Sequence, residues 1–244
     1  MKIGLLVVFL AFTFAGFSTE NKSVKQPQKL KLTTNIDFVS SHVWRGGKSG
    51  AAPSLEPSVE FGFGNFTVGS WTAATFDKEY RELDIYALYS IGNFSVGIYD
   101  YYCPPEKPEK SRFTDFHGID TYHLFSVDFV YYGTPKFPVK FTASTMMYGM
   151  DFNQTTGDYY YSTYLEAVYS KNWKNNALSA LVGLTTHEGI YAGCFAFMNS
   201  ELMYKKSFTF KDFSIPVFAK IVYNPIADKA WLIGGVSLNR VFGF

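Results

Sequence analysis

The histidines are the side chains best suited to acid–base chemistry, and their spacing limits which reactions are expected. A serine activated by a histidine is the nucleophile of many acyl hydrolases. None of the four histidines is followed two positions later by a serine. The reversed pair Ser40 and His42 shares one face of a predicted strand, near its outer end. A lipid-modifying hydrolase therefore stays open as an alternative, although the sequence identifies no catalytic residue.

Metal-ligand chemistry has no recognisable motif in this chain. His187 is next to Glu188, and Asp115 lies two positions before His117. Nothing in either group fixes the four ligands that a zinc site requires. We interpret both groups as solvated loop residues and expect neither a metal nor another cofactor.

Charged side chains recur on the polar face of alternating segments, and this face is predicted to point into the interior of a barrel. Such charges either form a salt-bridge network that plugs the interior or line a pore, where a ring of carboxylates attracts cations. Inward-facing tyrosines are expected to act mainly as filler. The predicted inward charges are Asp37, Glu60, Glu82, Asp84, Asp128, Lys140, Glu166, Glu201 and Lys220.

Composition narrows the class of protein that must position these groups. The 244 residues include 25 Phe, 18 Tyr and 4 Trp, so 19% are aromatic and only 18% are charged. An apolar fraction of 47% excludes long-range disorder. A net charge of +1 argues against nucleic acid as the main partner. The two cysteines, Cys103 and Cys194, cannot form a disulfide-rich scaffold. The composition fits a soluble all-β protein or one that faces lipid.

The N-terminus indicates export. Met1-Lys2 precedes an apolar run from Ile3 to Phe14, and small residues follow it, as in a secretory signal peptide. The run is shorter than the roughly 20 apolar residues of a membrane-spanning helix. We predict a signal peptide over 1–18, a polar segment over 19–30 and one barrel over 31–244.

Period-two alternation runs through the rest of the chain and predicts an all-β fold. Long alternating segments are typical of transmembrane strands, which need about 9–11 residues. Gly64-Asn65 and Gly92-Asn93 predict tight hairpin turns, because such turns need positive φ. Short turns alternate with long connections, as in an antiparallel outer-membrane barrel with both termini in the periplasm. The twelve predicted strands are 31–44, 55–64, 66–76, 81–91, 94–103, 121–132, 138–149, 159–170, 177–187, 193–205, 213–223 and 229–243.

Aromatic residues at the ends of predicted strands support a membrane location. The last strand ends in Phe242 and Phe244, which resemble the C-terminal signal recognised by the barrel-assembly machinery. Arg240 lies on the same face and is expected to reach lipid headgroups. An aromatic girdle at the membrane interface is predicted from Trp44, Trp71 and Trp231.

Two stretches near the N-terminus resemble the TorF-type porin family. The two stretches are 38–46 and 52–57. In that family an aromatic-Arg-Gly element follows the first strand, as Trp44-Arg45-Gly46 does here. A later Gly-x-Trp element matches Gly69-Ser70-Trp71, and 82–86 resembles the strand after it. The match covers about the first third of the mature chain. The resemblance implies a barrel in the outer membrane and carries over no catalytic or ligand-binding residue.

The sequence as a whole predicts a porin-like channel in the bacterial outer membrane. Small solutes would diffuse through a polar, acidic-biased lumen, and the 103–120 loop would restrict access. Outer-membrane lipids, the barrel-assembly machinery and small solutes are the expected partners, and nucleic acid is not one. A lipid-modifying barrel enzyme and a closed structural or adhesive barrel are the alternatives.

Overall fold

The described part of the chain is built from β-strands. The computed structural model describes residues 30–104, 112–118, 121–211 and 213–244, so the predicted signal peptide and most of the polar segment after it lie outside the described residues. None of the described residues belongs to a helix long and apolar enough to cross a membrane. The strands are β1 (Leu30–Val39), β2 (His42–Trp44), β3 (Gly47–Ser49), β4 (Ser54–Phe63), β5 (Phe66–Thr75), β6 (Arg81–Ile91), β7 (Phe94–Tyr102), β8 (His123–Tyr131), β9 (Val139–Gly149), β10 (Thr163–Trp173), β11 (Asn176–Thr185), β12 (Ala196–Phe210), β13 (Phe213–Asn224) and β14 (Lys229–Gly243).

Twelve of these strands close into one barrel, and β2 and β3 form a separate two-stranded sheet. Each barrel strand pairs antiparallel with its neighbours in sequence, and β1 closes the ring by pairing with both β4 and β14. The predicted all-β, twelve-stranded antiparallel barrel is confirmed. Closure matters because the pairing of β1 with β14 removes the two edge strands that an open sheet would have.

The two ends of the barrel differ in their connections. Lys31 pairs with Gly243, so the described chain begins and ends at the same end of the barrel. The tight turns at Gly64 (φ 60°) and Gly92 (φ 57°) lie at this end, which we call the short-turn end. The opposite, long-loop end carries 40–53, 150–162, 186–195, the described residues between β7 and β8, and the shorter connections 76–80 and 225–228. The longest connections therefore lie at one end of the barrel, as predicted.

Successive side chains point to opposite faces of the wall, as β geometry requires. On β14, Leu232 points outward and is 74% exposed, whereas the adjacent Ile233 points inward and is 1% exposed. The outward set is largely apolar on every barrel strand, and buried serines, threonines and carboxylates concentrate on the inward set. The barrel is thus apolar outside and polar inside.

Three predicted strands differ from those observed by more than two residues at a boundary. The first strand, predicted over 31–44, ends at Val39. The Ser40 N–H donates to Gly234 O at 2.8 Å, and the Ser40 hydroxyl accepts the Gly234 N–H at 3.0 Å. These bonds end β1 at the wall and release the following residues into the hairpin β2–β3. The strands predicted over 159–170 and 193–205 are instead β10 (Thr163–Trp173) and β12 (Ala196–Phe210).

The pairing between β13 and β14 stops before the short-turn end. It runs from Asn224↔Lys229 to Val217↔Val236 and no further. The remainder of β14 continues to pair with β1 as far as Lys31↔Gly243. Residues 213–216 of β13 pair only with β12. The wall therefore has a seam there, bounded by 213–216 and 237–243.

Candidate functional site

The hairpin β2–β3 leaves the rim after β1 and folds into the barrel interior. Its two-residue turn is Arg45-Gly46, with φ of 47° and 77°. Positive φ at both central residues is the signature of a type I′ turn, which favours glycine at the second position. The Gly46 carbonyl accepts a hydrogen bond from the Asn224 side chain at 2.9 Å. A Cβ on Gly46 would collide with the Met198 carbonyl oxygen, so only glycine allows this approach to β12.

Arg45 at the tip of the hairpin is held by aromatic rings. Its guanidinium carbon lies 4.5 Å from the ring centroid of Trp44, 4.6 Å from that of Tyr164 and 5.5 Å from that of Tyr191. The guanidinium also donates a hydrogen bond to the Tyr191 hydroxyl. Cation–π contacts of this kind gain strength where water is excluded. We call Arg45 with Trp44, Tyr164 and Tyr191 the arginine cage.

A second cluster surrounds His42 at the base of the hairpin. His42 Nδ1 lies 2.9 Å from Glu56 Oε1, and His42 Nε2 lies 3.9 Å from Glu82 Oε2. The imidazole stacks on Tyr80 at a centroid distance of 5.0 Å, and the Tyr80 hydroxyl donates to Glu82 at 2.6 Å. Asp84 follows on the same inward face, and its buried Oδ1 has no hydrogen-bond partner among the described residues. This acidic cluster joins the hairpin to the barrel wall.

Three other inward charges form two separate small networks. Asp128 Oδ1 accepts hydrogen bonds from Ser126 and Ser144, both at 2.6 Å. Lys220 pairs with Glu201 at 2.9 Å. Each network neutralises or solvates a carboxylate locally, as buried charges require.

The nine charges predicted to line the lumen all lie on the inward phase of their strands. They do not form one ring, because Glu82 and Asp84 lie in the acidic cluster, whereas Asp128 and the Glu201–Lys220 pair have separate partners. The buried Asp37 Oδ1 has no hydrogen-bond partner among the described residues. Glu60 and Glu166 accept hydrogen bonds from Tyr86 and Tyr164 at 2.8 and 3.0 Å. In strand order the nine are Asp37, Glu60, Glu82, Asp84, Asp128, Lys140, Glu166, Glu201 and Lys220.

Sequence reasoning missed two important interior charges, Arg45 and Glu56. Arg45 falls in what was predicted as a loop, and Glu56 lies on the inward face of β4. The Arg45-Gly46 dipeptide does carry a turn signal, because glycine supplies positive φ. The strand predicted over 31–44 continued through Val43 and Trp44, so the hairpin that contains this turn was missed.

The predicted aromatic girdle is wrong, because the three tryptophans point into the barrel and not toward the membrane. Trp44 lies in the hairpin, where it packs on Tyr101 at 5.7 Å. Trp71 faces inward against His42, and Trp231 packs inside the barrel on the buried cluster of Val39, Val222 and Ile233. The exposed tryptophan at a strand end is instead Trp173, next to Tyr204 at the short-turn end. Outward exposure is observed for Phe242 and Phe244, and their role as an assembly signal stays a prediction.

The loop after β7 was predicted to restrict access, but its described part, 112–118, lies against the outside of the wall. Asp100 and His123 point outward, and His123 Nδ1 lies 2.8 Å from Asp100 Oδ1. His123 Nε2 lies 2.8 Å from the Phe113 carbonyl oxygen, and the Tyr148 hydroxyl donates to the Phe116 carbonyl at 2.7 Å. The loop therefore covers a polar pair on an otherwise apolar face.

Ser40 and His42, the pair considered for hydrolysis, have different partners. The Ser40 hydroxyl accepts the Gly234 N–H, whereas His42 is directed to Glu56. Within the described ranges, no three His, Cys, Asp or Glu side chains form a group suited to a metal ion.

Asp77 ties the exit of the hairpin to the neighbouring loop at the long-loop end. Its Oδ2 accepts the N–H groups of Ala51 and Ala52, both at 2.8 Å. Hydrogen bonds from the Thr75 side chain and from these backbone groups hold the pKa of the Asp77 carboxyl well below its usual range. The tether is therefore strongest when Asp77 is ionised.

Comparison with known proteins gives structural likenesses only. No family model and no curated protein matches the chain, so the resemblance to the TorF-type family stays a prediction. The fold is similar to the COG4313 outer membrane channel from Pseudomonas putida, with 13% identity, a TM-score of 0.41 and coverage of 93% of this chain and 100% of that one. It is also similar to the outer membrane protein opdK from Pseudomonas aeruginosa, with 11% identity, a TM-score of 0.35 and coverage of 88% and 67%. A BenF-like porin from Pseudomonas fluorescens matches at 9% identity and a TM-score of 0.32, with coverage of 88% and 64%. Likenesses at this level carry no argument about what this chain conducts.

Proposed function

We propose that the protein is a porin-like channel of the bacterial outer membrane, and that it conducts small solutes without chemical conversion. The observation that carries this proposal is the sidedness of the closed barrel. An apolar outer face suits lipid, since a closed barrel pairs the backbone groups of its wall with each other outside the seam. A polar, charged inner face suits water and solutes rather than a hydrophobic core.

The hairpin β2–β3 is the constriction in this proposal. It crosses the interior between the two clusters, with Arg45 in its cage and His42 against Glu56 and Glu82. Solutes pass when the hairpin leaves this position, so the arrangement described here is the closed state. Opening would break cation–π and hydrogen-bond contacts and no covalent bond.

Cations are the favoured solutes of the open channel. Undocking the hairpin removes Arg45 and His42 from the interior and leaves Glu56, Glu82 and Asp84 facing the lumen. Fixed carboxylates attract cations and repel anions inside a narrow pore. Lys220 does not cancel this bias, because its charge is already matched by Glu201.

Conductance in planar lipid bilayers tests the proposal. We expect discrete current steps and, in a salt gradient, a reversal potential of the sign that cation preference requires. Replacing the carboxylates in Glu56→Gln/Glu82→Gln should shift the reversal potential toward zero, while Glu79→Gln, in the exposed loop before β6, should leave it unchanged. A barrel that inserts but shows no current steps in either form would contradict the channel.

A closed structural barrel is the second candidate, and the arginine cage favours it. The cage and the acidic cluster both occupy the interior near the long-loop end, which suits a permanent plug. The two functions differ in one measurable respect: a structural barrel stays closed when the cage is removed, and a channel opens.

A further inference from the structure

The seam between β13 and β14 has a cause in the sequence. Pro216 pairs with Ser207 of β12, and the Ser207 N–H donates to the Asn175 carbonyl on the β11 side at 2.7 Å, so this pair exchanges no hydrogen bond. The backbone groups of such a pair point away from each other, and Pro216 therefore directs its backbone toward β14. Proline has no N–H to donate, which is why it is confined to strand edges and bulges. The ladder ends at Val217↔Val236, immediately before Pro216 would face Ser237.

A cavity of about 480 Å³ lies at this seam. Its lining combines outward residues such as Ile36, Leu238 and Phe213 with inward residues such as Asn35 and Ser214. Ser214 belongs to the part of β13 that has no partner on β14, so the cavity borders the seam. The seam also leaves backbone N–H and C=O groups of both strands without ladder partners, and such groups cost several kcal/mol each in hydrocarbon.

Arg240 lies at the mouth of this cavity, on the outward face of β14. Among the described residues it has no ion pair, and its neighbours on that face include the exposed Leu238 and Phe242. Thr34 of β1 pairs with Arg240 and lines the same cavity. The site is four positions from Phe244, close to the short-turn end, where headgroups would lie if the barrel spans a membrane.

We propose that the seam is a binding site for a glycerophospholipid of the surrounding membrane. The lipid phosphate pairs with the Arg240 guanidinium, and one acyl chain lies on Ile36, Leu238 and Phe213. Charge complementarity identifies this occupant, since an unpaired guanidinium on an apolar face is matched by an anion that carries its own apolar tail. Glycerol and phosphate oxygens can also accept hydrogen bonds from unpaired N–H groups of the seam. The proposal rests on the proposed membrane location.

Native mass spectrometry of the full chain in detergent, titrated with dioleoyl-phosphatidylglycerol, tests the site. We expect Arg240→Gln to weaken lipid binding roughly tenfold, the loss typical of one charge-assisted contact. The matched control is Lys171→Gln, an exposed outward cation near the same end on β10, which lies away from the seam and pairs with Leu178 of β11. Dioleoylglycerol lacks the phosphate, so its affinity for wild type should be no higher than the affinity of phosphatidylglycerol for Arg240→Gln. Each of these pairs is missing one half of the phosphate–guanidinium contact.

A second variant tests the seam itself. Pro216→Val supplies the missing N–H, so the ladder should extend toward Ser237 and lipid binding should fall while Arg240 is retained. Equal affinities for wild type and Arg240→Gln would overturn the phosphate contact, and unchanged binding by Pro216→Val would overturn the seam. Displacement of the lipid by millimolar inorganic phosphate alone would show a site for free anions instead. Failure of wild type to insert into phosphatidylglycerol vesicles would contradict the membrane location, which the binding measurements in detergent do not address.

Discussion

Removing the side chain of Arg45 should release the hairpin, and the size of the effect follows from the cage. Three rings lie 4.5, 4.6 and 5.5 Å from the guanidinium carbon. At roughly 1 kcal/mol for each cation–π contact, Arg45→Ala costs the docked state about 3 kcal/mol. Loss of the hydrogen bond to Tyr191 increases this cost. The cost is reduced because the docked variant no longer has to remove a guanidinium from water. The open-to-closed ratio should therefore rise roughly 100-fold.

The two native cysteines provide the assay. Cys103 is partly buried beside Glu82 and packs on the same buried cluster as Trp44 of the hairpin, whereas Cys194 is exposed. Labelling by a membrane-impermeant maleimide should become roughly 100-fold faster at Cys103 in Arg45→Ala and stay constant at Cys194. Open probability in bilayers should rise in parallel.

Lys48→Ala is the matched control for this prediction, because Lys48 is an exposed cation on β3 of the same hairpin. It should leave both the labelling rate and the open probability unchanged. Arg45→Lys should lie between wild type and Arg45→Ala, since an ammonium keeps the charge but not the planar stacking of a guanidinium. Unchanged Cys103 labelling in Arg45→Ala would refute the cage as the latch. Faster labelling without current would instead support the structural barrel.

Three further changes test other parts of the structure. Gly46→Ala should also release the hairpin, because its Cβ collides with the Met198 carbonyl and φ is +77°; Cys103 labelling as slow as wild type would contradict this. The pKa of Asp77 is lowered in the folded protein, so its tether contributes its full stability above pH 3.8, the ordinary pKa of the carboxyl group. This contribution is lost as the pH falls toward the lowered pKa. Acidification below pH 3.8 should therefore raise the open probability, and Asp77→Asn should show the raised value already at neutral pH and respond less to acid. Glu201→Gln leaves the Lys220 ammonium without its carboxylate, which should lower the free energy of unfolding by about 1–3 kcal/mol. The barrel should therefore lose its compact gel migration at a lower temperature than wild type. The double variant Glu201→Gln/Lys220→Gln should recover part of the loss.

Period-two alternation made the barrel predictable from the sequence. The pattern fixes strand number and facing, because a shift by one residue would move every apolar side chain to the wrong face. It therefore placed Asp128 and Lys220 on the inward face, and glycine chemistry placed the turns at Gly64 and Gly92. The boundary with a clear physical cause is the end of β1, where the hydrogen bonds between Ser40 and Gly234 stop the strand before the predicted position.

The hairpin was not predictable, for a physical reason. Trp44 has the residue type and the position of a girdle residue, and only the bonds between Ser40 and Gly234 show that the chain has left the wall by then. Those bonds join positions far apart in the sequence, which a local pattern cannot reveal. The arginine cage likewise brings Arg45 together with Tyr164 and Tyr191, whose proximity depends on barrel closure.

The docked position of Gly46 has a consequence for the order of assembly. Its carbonyl is held by Asn224, 178 positions later, and its backbone packs on Met198 of β12. The hairpin is made early in the chain, yet the surface that receives it exists only after the last strands have joined the wall. Contacts this distant form late in folding. A barrel still being assembled therefore has an unobstructed interior, and insertion of the hairpin marks its completion.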